Sequence, residues 1–123
     1  MTFRISIPSG ILLLCGIALL SVTGCKKSND DITDGDGNVY TSVIIGTQEW
    51  LLENLKTTRL NDGTGISHVP SITAWAAETN AAYCWYNNET TNKEDYGALY
   101  NWKTVATGKL CPKGWHVPTS AEW

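Results

Sequence analysis

An apolar run from Ile11 to Leu20, closed within a few positions by Cys25, Lys26 and Lys27, splits this chain before any question of fold arises. A helix that crosses the hydrocarbon core of a bilayer needs about 20 apolar residues. This run is about half that length, inside the 7–15 residues of a secretory h-region. Arg4 is the only side-chain cation ahead of it, which makes a weakly positive n-region. Residues 1–24 therefore read as a leader, with an uncleaved membrane anchor as the alternative. Whatever folds must be built from residues 25–123.

The end of the leader carries more information. Val22-Thr23-Gly24-Cys25 resembles the lipobox of bacterial lipoproteins, with Val22 standing where leucine is commonest. The resemblance implies cleavage before Cys25, a thioether-linked diacylglycerol on its sulfur and acylation of the new amino terminus. The membrane is then a partner through the lipid anchor, because two or three acyl chains hold stably where one does not. Lys26 is not the aspartate that signals inner-membrane retention in enterobacteria, and Ser28-Asn29-Asp30-Asp31 loosely resembles the acidic export tag of Bacteroidetes surface lipoproteins. The implied location is the cell envelope, as an outer-membrane lipoprotein facing either the surface or the periplasm. Lys26 to Thr33 are polar without periodicity, so residues 25–33 read as a flexible tether.

A net charge of −3 gives no basic excess, so nucleic acid is not an expected partner. The apolar share of 42% and charged share of 17% are those of a chain that folds around a core. Six Trp and five Tyr stand against one Phe. Such amphipathic rings suit core and corner packing, the preferred reading, or a sugar-stacking surface. A glycan or a surface protein is accordingly the expected partner class beyond the membrane.

Cysteine usage narrows the chemistry. Cys15 leaves with the leader and Cys25 takes the lipid, which leaves Cys84 and Cys111 in an oxidising compartment. A disulfide between them would close a loop of about 28 residues, stabilising by about 3 kcal/mol in the loop-entropy picture. Two buried thiols, or a reactive site, are the alternatives. Cys111 and His116 lie near each other in sequence, but the spacing fits no zinc motif and no third group completes a Cys–His pair. Asp34-Gly35-Asp36-Gly37-Asn38 tempts a calcium reading, yet Val39 and Ile45 occupy the positions where an EF-hand needs Gly and an acidic ligand. A turn is preferred there, and no metal, cofactor or catalytic residue is assigned.

Alternating β-branched residues predict a strand over Val39–Ile45, and Glu49–Leu55 can return as a second. Thr73–Thr79 reads as a short helix and Ala82–Tyr86 as a strand. The main helix is expected over about 94–106, where Ala98, Trp102 and Val105 form one stripe and Gly108 a C-terminal cap. Thr119-Ser120-Ala121-Glu122 reads as a capping box after Pro118, opening a helix that Trp123 cuts off. One main helix with several short strands and many turns is an α+β pattern, with the domain expected to be incomplete at its C-terminus.

Asp36-Gly37-Asn38-Val39-Tyr40, Ile45-Gly46-Thr47-Gln48-Glu49-Trp50, Glu53-Asn54-Leu55 and Asn61-Asp62-Gly63 fall in the order of the Fibrobacter succinogenes major paralogous (FISUMP) domain. So do Tyr83-Cys84-Trp85-Tyr86-Asn87, Tyr96-Gly97-Ala98-Leu99-Tyr100-Asn101-Trp102 and Leu110 to Thr119. The resemblance covers about residues 34–123, and implies that the domain continues beyond a segment like Ala121-Glu122-Trp123. Trp115 to Trp123 is also similar to the signature of formylglycine-generating enzymes. That likeness implies a C-type-lectin-like fold of short, irregular antiparallel strands around the main helix. The leading expectation is a non-catalytic, lipid-anchored binding or adhesion module. An oxidase of the formylglycine-generating kind lacking its catalytic half, or a truncated product without function, are the alternatives.

Overall fold

The computed structural model describes residues 4–6 and 31–123. The apolar run 11–20, Cys15, the Val22–Cys25 motif with Cys25 itself, and tether residues 25–30 lie outside the described residues. Among the described residues, eight short strands and three short helices follow in chain order: β1 (Arg4–Ser6), β2 (Ile32–Thr33), β3 (Val39–Tyr40), β4 (Ser42–Ile45), β5 (Gln48–Leu51), β6 (Ser67–His68), α1 (Ile72–Ala77), β7 (Ala82–Trp85), α2 (Lys93–Tyr96), β8 (Ala98–Tyr100) and α3 (Trp102–Ala106). Single 3₁₀ turns at Tyr86–Asn88 and Thr90–Asn92 join β7 to α2. The strands form three small sheets ordered β1-β5-β4, β2-β3 and β6-β7-β8. The architecture mixes strands with helices, and β6 runs parallel to β7 where all pairings were expected antiparallel.

The expected strand over Val39–Ile45 is broken at Thr41, whose N–H and hydroxyl donate to the Glu53 carboxylate at 2.9 and 2.6 Å. Its first half pairs instead with Ile32–Thr33, so those two residues, read as tether, belong to the folded domain. A buried carboxylate fixes the turn between β2 and β3. Asp34 Oδ1 accepts from the N–H groups of Asp36 (2.9 Å) and Asn38 (3.0 Å). Its Oδ2 accepts from the Asn38 amide (2.8 Å) and the Tyr40 hydroxyl (2.5 Å). The Tyr40 oxygen in turn accepts from the Lys56 N–H at 3.1 Å. Burial, then the Asp34 bond, pushes the Tyr40 hydroxyl far above its ordinary pKa.

Tyr40, Leu51, Leu55, Leu60, Ile66, Tyr83, Trp85, Ala98, Leu110, Cys111 and Trp115 form one core. Trp50, Trp85 and Trp115 are buried, whereas Trp102 and Trp123 are largely exposed, so the packing reading of the tryptophans holds for only part of the set. Thr104 is fully buried and fastens α3 to β7. Its hydroxyl accepts from the Ala82 N–H (2.9 Å) and donates to the Ala82 carbonyl (3.0 Å).

The expected helix over 94–106 is not one helix. Gly97, at φ +67 and ψ −159, ends α2 after Tyr96. Ala98–Tyr100 then runs extended against β7, in register Tyr83↔Tyr100, Cys84↔Leu99 and Trp85↔Ala98. Asn101 restarts the helix as N-cap, its Oδ1 accepting from the Thr104 N–H at 3.0 Å. Pairing across the sheet here overrides a stripe that local periodicity alone would make helical.

Candidate functional site

β4 and β5 are joined by Gly46-Thr47, with Gly46 at φ +64, a conformation glycine adopts without penalty. The register Val43↔Trp50 and Ile45↔Gln48 puts these four residues on one face of the hairpin. With Leu51, Leu52, Glu122 and Trp123 they line a groove of about 460 Å³. Val43, Ile45, Leu52 and Trp123 all lie exposed, and the Trp123 ring packs on Trp50 at 5.2 Å between centroids. Trp50 Nε1 donates to Gln48 Oε1 at 3.3 Å. An open apolar groove with a few polar groups at its rim is the ordinary form of a binding surface.

Glu122 holds the neighbouring turn. Its carboxylate accepts from the Thr119 N–H (2.9 Å) and hydroxyl (3.0 Å) and meets His116 Nε2 at 3.0 Å. The capping box thus forms its glutamate half, and the Glu122 N–H donates to the Thr119 carbonyl at 3.1 Å. The Thr119 N–H bond first, and the His116 contact next, hold the Glu122 carboxyl at about 2, well below its ordinary 4.5. A depressed folded-state pKa stabilises above the unfolded value, and that stabilisation is lost as pH falls through the folded one. The melting temperature is therefore expected to fall more steeply between pH 4.5 and 2 in the parent protein than in Glu122→Gln. Parallel thermal melts across that range check this, and identical slopes would contradict it.

Cys84 and Cys111 are free thiols, and the candidate bridge is not formed. Side chains alternate along β7, so Tyr83 and Trp85 face the core that contains Cys111 while Cys84 faces the other way. Cys111 and His116 both line a cleft of about 270 Å³ with Trp102 and Val105. Burial pushes the Cys111 thiol up to about 12, so it stays protonated and is no nucleophile at neutral pH. Burial raises the Cys84 thiol as well. Among the described residues no group of three or more His, Cys, Asp or Glu is placed to hold a metal ion.

A further opening of about 510 Å³ lies beside Asp31, Asp34, Asn61, Lys113 and Trp115. Asp34 there is already engaged by four donors and Trp115 is 8% exposed, which leaves little of either for a ligand. The hairpin groove is the better candidate. Sequence reading gave its residues no site role and took Val39–Ile45 as alternating, although the run Val43-Ile44-Ile45 carries apolar side chains on both faces of the strand.

The sequence profile of the family described as Fibrobacter succinogenes major domain matches residues 43–123. The phosphate-binding protein PstS of Xylella fastidiosa (strain 9a5c) is 34% identical over 95 residues, which cover 74% of this chain and 22% of that protein. The chain thus spans about a fifth of that relative's length. No solved structure gives a significant match.

Proposed function

The chain belongs to the Fibrobacter succinogenes major domain family, and on that premise we propose that it is a lipid-anchored binding module of the cell envelope. The observation that carries the binding reading is the groove between the β4–β5 hairpin and Trp123, whose apolar lining is open among the described residues. The Val22–Cys25 lipobox supports anchoring at Cys25, outside the described residues, with residues 1–24 as the removed leader. The short strands and broken helices are read as a C-type-lectin-like variant, on the likeness of Trp115–Trp123 to the formylglycine-generating enzymes. The oxidase alternative gains nothing from Cys111, whose thiol is held protonated by burial. Phosphate is not carried over from the relative's name. Among the described residues that line the groove, Glu122 is the one that carries a charge, and it repels an anion.

Anchoring is tested by fractionation. Cys25→Ser is expected to abolish lipidation and to move the protein from the membrane fraction to the soluble fraction. Unchanged membrane association would remove the lipoprotein half of the proposal and leave the groove to be judged separately.

A further inference from the structure

β5 is paired on both sides. β4 holds one edge, and β1 holds the other in antiparallel register, Arg4↔Trp50, Ile5↔Glu49 and Ser6↔Gln48. β1 lies inside the segment that cleavage before Cys25 would remove. Its departure would leave a row of backbone N–H and C=O groups along β5 unpaired. Proteins blunt such edges with lysine, proline or a bulge. Gln48-Glu49-Trp50-Leu51 has neither lysine nor proline, and its ladder runs without a bulge. The same residues open onto the groove. Directly opposed residues share a face, so the strand positions opposite Trp50 and Gln48 stand on the groove side.

We propose that the outer edge of β5 and the adjoining groove form an acceptor site for an extended peptide strand, and that maturation vacates it. The inference rests on the leader processing proposed above. Backbone pairing to β5 supplies affinity, and the groove selects apolar side chains two positions apart on the incoming strand. The leader carries Arg4 and Ser6 at those two positions. Its register is known from the backbone pairing, and a strand with apolar residues at these two positions is better matched to an apolar groove than one with a cation and a hydroxyl, so the leader is a placeholder that such a strand replaces. Trp50 and Trp123 lie in the groove and report its occupancy.

The test uses protein purified from membranes, its amino terminus read by mass spectrometry, and synthetic peptides covering residues 2–9. One peptide keeps the leader sequence, one carries Arg4→Leu and Ser6→Leu, and one carries Ile5→Pro and Ser6→Pro. Consecutive N–H groups of a strand point to opposite sides, so two adjacent prolines remove a donor whichever side faces β5. With the leader absent, the leucine peptide is expected to bind at least tenfold tighter than the leader peptide. It should shift tryptophan emission and slow amide exchange at Gln48–Leu51, while the proline peptide does neither. Equal affinities for all three peptides, or no exchange protection by any, would overturn the site. A retained leader would refute the processing reading instead, and the edge is then tested in the intact chain. There Ile5→Pro with Ser6→Pro should speed exchange at Gln48–Leu51 and admit the leucine peptide, and unchanged exchange overturns the site.

Discussion

Asp34→Ala is expected to lower the unfolding free energy by about 2–4 kcal/mol, because a buried donor left without its acceptor costs about 1–3 kcal/mol. Asp34 accepts four hydrogen bonds, and of the four donors only the Asp36 N–H belongs to an exposed residue. The buried Tyr40 hydroxyl and the half-buried Asn38 amides cannot all turn to water once the carboxylate is gone. Tyr40 also receives the Lys56 N–H, so the loss reaches the loop after β5. Asp34→Asn keeps one acceptor oxygen but sets an NH₂ group against donors, and should cost less, about 1 kcal/mol. Tyr40→Phe removes only the hydroxyl and should fall between the two. Urea unfolding of the three variants checks the order. A loss for Asp34→Ala no larger than that for Tyr40→Phe would show that the turn is held by something other than this carboxylate.

The same turn marks where sequence reading works and where it stops. Asp34 to Asn38 were legible as a turn because Asp and Gly specify it locally. The role of Asp34 as a buried acceptor for Tyr40 was not legible, since it depends on β2 and β3 lying side by side. Ile32–Thr33 was invisible for the same reason: two residues carry no period, and only the partner strand makes them a strand. The helix over Ile72–Ala77, capped by Ser71, and the strand over Ala82–Trp85 lie close to their expected bounds because capping and β-branched or aromatic content are local signals. The groove needed the register of the hairpin and the approach of Trp123 to Trp50 across the fold.

Gly97→Ala is expected to be more damaging than any other glycine substitution that leaves the core intact, at about 4 kcal/mol, from a backbone strain of about 1–3 kcal/mol and an overpacking cost of similar size. At φ +67 and ψ −159 the residue occupies a region that is essentially reserved for glycine. A Cβ there would lie 2.5 Å from the Leu55 carbonyl oxygen and 2.7 Å from the Asn54 Cβ. That carbonyl accepts the Ala98 N–H at 2.8 Å, so moving it aside breaks the bond that begins β8. The consequence should spread to Tyr100, whose hydroxyl donates to the Thr57 carbonyl at 2.7 Å, and to Asn101, the cap of α3. Gly114 is the internal control. It also has a positive φ, +85, but its added Cβ meets nothing within 4 Å. Gly114→Ala should therefore show the conformational cost alone, about 1 kcal/mol. Equal losses for the two variants in parallel urea melts would mean that the contact with Leu55 yields freely. A large excess for Gly97 would tie the break between α2 and β8, where helical periodicity misleads, to one backbone contact made across the fold.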